Sequence, residues 1–229
     1  MKKETIVLSL GGSLIIPDKI NYIYLNQFKK IINTNKKNYK FVIVCGGGDL
    51  ARKYISVLEK DSKNQEFQSY AGIAATRTNA RFMSYFFGID PHKGIPHKIK
   101  QVKNYLKTRE IVFCGALEYK PNQTSDSTAA EIARKLKTKF INLTNIKGLY
   151  TDNPVTNKKA KFISKITWQE FDKMANKSKF KPGQHFVLDQ TASGIIKNNK
   201  IPTYIIGKDT KQLNNLLKNK KFTGTTIKD

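Results

Sequence analysis

Ile6-Val7-Leu8-Ser9-Leu10-Gly11-Gly12-Ser13 is a largely apolar run that stops at two glycines, and Phe41-Val42-Ile43-Val44-Cys45-Gly46-Gly47-Gly48 repeats the pattern. A third run, Ile111-Val112-Phe113-Cys114-Gly115, leads on to Thr124-Ser125-Asp126 and a helical stretch. Short continuous apolar runs bounded by turn residues read as strands buried on both faces, the form strands take in a parallel sheet. Glycine after such a strand turns the chain, and it also lets backbone N–H groups approach an anion closely. A helix that begins there adds partial positive charge. Any single turn of this kind is adequately explained as punctuation between strand and helix. The three together point to a ligand with several phosphates.

Working outward, apolar runs and helical periods alternate along nearly the whole chain. The pattern predicts strands at 5–10, 41–45, 111–114, 139–143, 203–206 and 225–227. Helices are expected at about 21–34, 49–61, 70–87, 127–137, 167–175, 190–198 and 210–219, with residues 60–65 as a surface loop. Alternating strands and helices imply an α/β fold with crossover helices on both faces of a mainly parallel sheet. Ligands of such sheets sit beyond the carboxyl ends of the strands, where all three glycine turns fall. No linker or charge block divides the 229 residues, so a single domain, 1–229, is expected.

Composition bounds the partners. Lys and Arg total 42 against 17 Asp and Glu, a formal net charge of +25, which draws phosphorylated ligands or nucleic acid. The lysines are nevertheless spread along the chain among asparagines, as in 33–38 and 197–200, and a compositional bias gives the same total. A nucleic-acid surface needs basic residues gathered on one face with aromatics between them, so nucleic acid is not expected as a main partner. No apolar run approaches the length that crosses a bilayer, and Met1 to Thr5 leads straight into a strand pattern. A soluble, cytoplasmic protein without a membrane partner is expected. Cys45 and Cys114 each close an apolar strand, where a small buried thiol fits better than a disulfide or metal site. His92, His97 and His185 lack the paired spacing of a metal site.

The segment Gly46-Gly47-Gly48-Asp49-Leu50-Ala51-Arg52-Lys53-Tyr54 carries the sharpest chemistry. Arg52 lies about one turn inside the helix, where a guanidinium can meet a phosphate held at the helix start; a plain surface arginine is the alternative. Gly72 to Ala80 form a helix with small residues on one face, so Arg77 and Asn79 either line a pocket or cap a subunit contact. In Thr124-Ser125-Asp126-Ser127-Thr128, Ser125 or Asp126 alone would serve as an N-cap. The surplus of hydroxyls suits an acceptor phosphate, and Asp126 suits orienting a cation or helping to hold a metal ion. Asn142 to Pro154 place polar side chains and Tyr150 after a strand, a combination suited to a purine and its ribose.

In this order the segments resemble the amino-acid kinase family, most closely its uridylate (UMP) kinases of the archaeal type. The resemblance also covers G-I-x-x-T-R-x-N-A at 72–80, L-T-N-x-x-G-x-Y at 143–150, I-T-W-x-E-F at 166–171 and G-T-T-I at 224–227. It implies a three-layer α/β/α sandwich with a mainly parallel sheet, commonly assembled as a homohexamer. The implied reaction moves the γ-phosphoryl group of Mg²⁺-ATP to UMP, giving UDP, with Mg²⁺ entering only with ATP and no metal site of the protein's own. Residues 1–137 would form the acceptor part and 138–229 the ATP part. Asp126 and Arg52 match catalytic positions. Gly11, Gly12, Ser13, Gly48, Arg52, Thr144, Asn145, Tyr150 and Asn153 match positions at ATP. Gly47, Ser69 and the run Tyr119, Lys120, Pro121, Asn122, Gln123, Thr124 and Ser125 match positions at UMP.

The chain departs from that pattern at named places. Ser9 stands where many members carry lysine, which leaves Lys158, Lys159 and Lys161 as candidates for the missing cation. Ser69 stands where the family carries an aspartate on the UMP ribose, and a hydroxyl offers only one neutral donor there. Asn153 replaces an aspartate near the ATP ribose, with Asp152 adjacent, and the 115–126 segment is about two residues longer than the archaeal pattern. Besides a UMP kinase, the sequence admits a kinase of another acceptor (a carboxylate, carbamate or isoprenoid phosphate) and a non-catalytic nucleotide- or oxyanion-binding protein. Nucleic-acid binding through the charge enters only as a secondary property.

Overall fold

In a computed structural model, the structure describes residues 3–61, 64–121, 123–177 and 188–229. The strands are β1 (Glu4–Leu10), β2 (Tyr39–Cys45), β3 (Ile111–Cys114), β4 (Phe140–Leu143), β5 (Leu149–Tyr150), β6 (Phe162–Ile163), β7 (Lys165–Ile166), β8 (Thr203–Ile206) and β9 (Thr225–Ile227). The helices are α1 (Gly12–Ile15), α2 (Tyr22–Asn35), α3 (Gly48–Asp61), α4 (Gln65–Phe86), α5 (Ile99–Thr108), α6 (Ser125–Leu136), α7 (Trp168–Ala175), α8 (Gln190–Asn198) and α9 (Thr210–Leu217).

The main sheet runs β3-β2-β1-β4-β8-β9-β7, with every neighbouring pair parallel except β8 and β9; β5 and β6 form a separate antiparallel ribbon. From β1 the chain moves outward to β2 and β3, then returns to place β4 on the other side of β1. A reversal of this kind places the ligand crevice of α/β sheets at the carboxyl ends of β1 and β4.

Strand alternation sorts the apolar residues into two cores. Ile6, Leu8 and Leu10 face one side with Leu25, Phe28 and Ile32 of α2, Met83 of α4 and Leu213 of α9. Val7 faces the other with Val42, Val112 and Phe140, against Val102 of α5, Ala129 and Ile132 of α6, and Ala192 and Ile196 of α8. The result is three layers. Ser9 shares the parity of Val7, so its fully buried side chain points toward the α6 layer.

Two differences from the sequence pattern have physical causes. α5 falls outside the expected helices because four lysines between 98 and 107 make the segment polar on average, although Ile99, Val102 and Leu106 keep a helical spacing; it forms because Val102 and Leu106 are buried and the Gln101 side chain accepts the N–H groups of His97 and Lys98. α6 begins at Ser125, two residues before the expected start, because its cap is Thr124, whose hydroxyl accepts the Asp126 N–H at 3.1 Å. No helix among the described residues is long and apolar enough to cross a membrane.

Candidate active site

The first two glycine turns interlock backbone to backbone. Gly11 donates to Leu143 O and Gly46 to Leu10 O, each at 2.9 Å, which ties both turns to the ends of β1 and β4. A Cβ on Gly12 would lie 1.9 Å from the nitrogen of Gly48, and one on Gly46 would lie 2.5 Å from the nitrogen of Gly12. Gly48 also has φ +61, a left-handed backbone that side chains rarely adopt. Close packing therefore demands these glycines, and the same packing brings the N-termini of α1 and α3 together at the crevice.

α4 fixes the second and third turns. The buried Asn79 amide donates to Gly46 O at 2.8 Å and Gly47 O at 3.1 Å. Arg77 Nε donates to Ala116 O at 3.1 Å, its Nη2 donates to Leu117 O, and Thr76 Oγ1 accepts the Ala116 N–H at 2.9 Å. Gly115 allows this approach, since a Cβ there would meet the Arg77 nitrogen at 2.6 Å. Arg77 and Asn79 thus act on backbone carbonyls that shape the site.

Arg52 lies on the first turns of α3, partly exposed, with Nη2 3.2 Å from Pro17 O and 3.5 Å from Asp49 Oδ1. Lys53 pairs with the other Asp49 oxygen at 2.7 Å and, through that bond, holds the carboxyl below the usual range. Both cations reach the α3 N-terminus from exposed positions, beside the glycine crevice.

Asp126 is the acid at this edge. Its Oδ1 accepts from the Ser9 hydroxyl at 2.6 Å. Burial pushes the Asp126 carboxyl up to about 7; the Ser9 bond opposes the shift and the charge of Asp189 adds to it. Asp189 was not singled out in the sequence, although an aspartate just before an expected helix is an N-cap signal. It is buried, caps α8 through the Ala192 N–H at 2.8 Å, and accepts the Thr124 and Ser127 hydroxyls at 2.5 and 2.6 Å. The Thr124 hydroxyl proton is therefore committed to Asp189. The Ser125 side chain makes no hydrogen bond among the described residues, so of the Thr124 and Ser125 hydroxyls only that of Ser125 is uncommitted.

On the β3 side, Tyr119 stacks on Tyr70 with ring centroids 4.9 Å apart, linking the segment after β3 to the start of α4. Lys120 and Pro121 are exposed and Gln123 is half-buried, while Asn122 lies outside the described residues, as does His185. Ser69 donates within its own helix to Gln65 O at 2.8 Å. On the β4 side, Thr144 follows the strand directly and sits 3.4 Å from the Asn145 side chain. Tyr150 meets Phe162 edge to face at 5.5 Å. Asp152 accepts from the Asn153 N–H at 2.7 Å and the Asn157 amide at 2.8 Å, and Asn153 caps the Val155 N–H at 2.9 Å. Lys158 and Lys159 are exposed on the same loop as Lys161, and none of the three makes an ion pair among the described residues. Cys45 and Cys114 are buried free thiols pushed up by burial, which leaves them inert.

The tertiary structure thus gathers Ser9, Gly11 to Ser13, Gly46 to Gly48, Asp126 and Thr144 at the carboxyl ends of three adjacent strands. Comparison with known proteins agrees with this architecture. The uridylate kinase of Thermoplasma acidophilum is 34% identical over 229 residues, covering 99% of this chain and 97% of that one. That of Pyrococcus abyssi is 31% identical over 224 residues, covering 97% and 98%. The crystal structure of the Archaeoglobus fulgidus uridylate kinase superposes with a TM-score of 0.82 at 30% identity, covering 97% of this chain and 99% of that one. The amino acid kinase family model matches residues 4–207, and the chain belongs to that family.

Proposed function

We propose that this protein is a UMP kinase that transfers the γ-phosphoryl group of ATP to UMP, yielding UDP and ADP, in pyrimidine nucleotide biosynthesis. The observation that carries the proposal is the pair of interlocked glycine turns at the sheet reversal, with the Ser9–Asp126 pair at the same end of the strands. The name shared by relatives that match nearly the full chain supplies the acceptor.

Donor and acceptor are both anions, so catalysis here consists of in-line placement and charge neutralisation, without a covalent protein intermediate. In the proposed arrangement Gly11, Gly12, Ser13, Gly48 and Arg52 hold the ATP phosphates. Thr144, Asn145, Tyr150 and Asn153 hold its nucleoside. Gly47, Ser69 and the 119–125 segment hold UMP, with Ser125 donating to its phosphate. Residues 1–137 then form the acceptor part and 138–229 the ATP part. The acceptor phosphate is already ionised near neutral pH, so no general base is needed. Asp126 lies between the two parts, where its charge orients a cation.

The described residues contain no cluster of three His, Cys, Asp or Glu side chains able to hold a metal ion. One carboxylate flanked by hydroxyls fits instead a Mg²⁺ carried by the phosphates of ATP, with Asp126 as the side chain that would hold it. When bound, that ion neutralises phosphate charge. The proposal extends to a cytoplasmic homo-oligomer, a hexamer by family resemblance. Support for self-association comes from α3, which has no buried residue and exposes Tyr54 and Val57 beside Phe67 and Tyr70 of α4.

The test is an acceptor panel with Mg²⁺-ATP: UMP, CMP, AMP, acetylglutamate, carbamate and isopentenyl phosphate. UMP should turn over fastest. Faster turnover of another acceptor would reassign the substrate, and no turnover at all would make the protein a nucleotide-binding member.

A further inference from the structure

Part of the lysine excess that looks scattered in the sequence is concentrated at one edge of the sheet. Because β3, β2, β1, β4 and β8 run parallel, their N-terminal ends share one edge, opposite the glycine crevice, and the helices leading into them end there. The segments that form this edge are 3–4, 36–40, 107–110, 135–139, 198–202 and 217–222. Hydrogen bonds hold them together: Phe41 N to Glu110 O, Val7 N to Lys139 O, Phe140 N to Pro202 O and Tyr39 Oη to Leu217 O, at 2.7 to 3.4 Å. These 27 residues hold 13 of the 42 Lys and Arg but only 2 of the 17 Asp and Glu. Both acids are already paired, Glu4 with Lys139 at 3.1 Å and Glu110 with Lys3. Beyond β8 the patch ends, where Glu170 and Asp229 lie beside Lys228.

Helix ends explain only part of this. One cation per helix C-terminus complements the dipole, which accounts for a minority of the thirteen. Moreover, the three non-glycine residues with positive φ among those described, Lys137 (52°), Lys200 (49°) and Asn219 (53°), all lie on this edge. Each follows a helix, in a left-handed position that glycine or asparagine fills more readily. Local structure therefore disfavours lysine at 137 and 200, both of which are exposed.

We infer that this edge is a docking surface for the phosphodiester backbone of nucleic acid, separate from the kinase site. Nucleic acid fits better than a membrane because, among the described residues, the exposed large apolar side chains lie elsewhere, from Ile20 to Phe162, so the edge has no apolar wedge to enter a bilayer. The edge lacks the exposed aromatics of a base-stacking surface, so contact is confined to the phosphodiester backbone, which cations and hydrogen-bond donors suffice to bind; Asn38, Asn199 and Asn219 supply exposed amides among the lysines. Five strands span roughly 20 Å, room for about five phosphates of one strand. The binding is sequence-independent and strongly salt-dependent.

The experiment follows a labelled 20-nucleotide single-stranded RNA by fluorescence anisotropy, with saturating ATP and UMP analogues present to block the kinase site. Wild type should bind in the micromolar range at low salt, with a slope of log K against log salt of about −3.5. Replacing Lys36, Lys37, Lys137, Lys200, Lys220 and Lys221 together by Gln should weaken binding at least tenfold, flatten the slope and spare kinase turnover. A control with Lys60, Lys93, Lys100, Lys103, Lys173 and Lys177 changed to Gln carries the same charge loss and should bind nearly as wild type. The pair Lys137→Gly and Lys200→Gly should raise the melting temperature while lowering RNA affinity, an opposition that a purely structural role does not produce. Equal weakening by the two six-site variants, no RNA binding by wild type at 50 mM salt, or binding to vesicles containing phosphatidylglycerol in place of RNA would each overturn the inference.

Discussion

The Ser9 hydroxyl donates a 2.6 Å hydrogen bond to the Asp126 carboxylate, joining residues 117 positions apart at the end of β1 and the start of α6. Where many family members carry a lysine, a neutral donor therefore meets a carboxyl that burial has pushed up to about 7. Ser9 is one side of a pair, and its partner's charge depends on pH within the physiological range.

The sign of that dependence is fixed. A carboxyl raised above its ordinary value favours the fold when protonated, so its stabilising contribution is fully present below about pH 4 and lost as pH rises through 7. Asp126→Asn should make the ligand-free protein more stable than wild type at pH 8, by about 2 kcal/mol after allowance for partial exposure, with little difference at pH 4. Urea unfolding at both pH values measures this, and an equal difference at each would show an unperturbed Asp126. Ser9→Ala removes the bond that opposes the shift. It should move the acid limb of kcat/KM upward relative to wild type by about half a unit.

Arg52 combines partial exposure with proximity to the crevice, so its weak ion pair at 3.5 Å contributes little to stability. Arg52→Ala should lower kcat/KM for ATP by about 100-fold while leaving the urea midpoint nearly unchanged. Arg52→Lys should recover only part of the loss, because an ammonium lacks the planar fork. Near-normal kinetics in Arg52→Ala would remove Arg52 from the phosphate site.

Two glycines give opposite expectations. A methyl at Gly12 would lie 1.9 Å from the Gly48 nitrogen, so Gly12→Ala must separate the two turns and should abolish turnover. Gly194, inside α8, has nothing within 4 Å of a new Cβ. Gly194→Ala should therefore stabilise the protein by about 0.5–1 kcal/mol. Thermal melting and a single-point assay on both variants suffice as a check.

Asn79→Ala removes both bonds from the buried amide to Gly46 O and Gly47 O. A loss of about 1–3 kcal/mol is expected from the unsatisfied carbonyls, together with a raised KM for both nucleotides as the turn loosens. Unchanged KM values with lowered stability would confine Asn79 to a structural role.

Ser69 directs its hydroxyl proton to Gln65 O. Ser69→Asp should lower the KM for UMP several-fold by offering the ribose a charged acceptor, with the KM for ATP unchanged. Isothermal titration with UMP is the direct measurement; an unchanged affinity would mean that another residue already holds the sugar.

Much of the site was legible because its strongest signals are local. A run such as Phe41 to Cys45 followed by three glycines specifies strand, turn and helix start within a dozen residues. α5 escaped because its four lysines make the segment polar on average and mask a regular stripe of Ile99, Val102 and Leu106, which packs Val102 and Leu106 into the core. The same limit applied to Arg77 and Asn79, whose partners are backbone carbonyls about 30 to 40 residues away. No side-chain pattern announces a carbonyl, so they were placed near the site without a definite task.

By itself the sequence determined the layered α/β architecture, the three glycine turns and the family, because apolar period, glycine placement and ordered motifs are properties of adjacent residues. Only the tertiary structure decided that the first two turns interlock, that Thr124 caps α6 while yielding its proton to Asp189, and that Ser9 faces Asp126. It also concentrated 13 of the 42 Lys and Arg on one edge. The reason is topological: parallel strands send all their glycine turns to one end of the sheet and the connections that precede them to the other, and residues far apart in the chain meet only there.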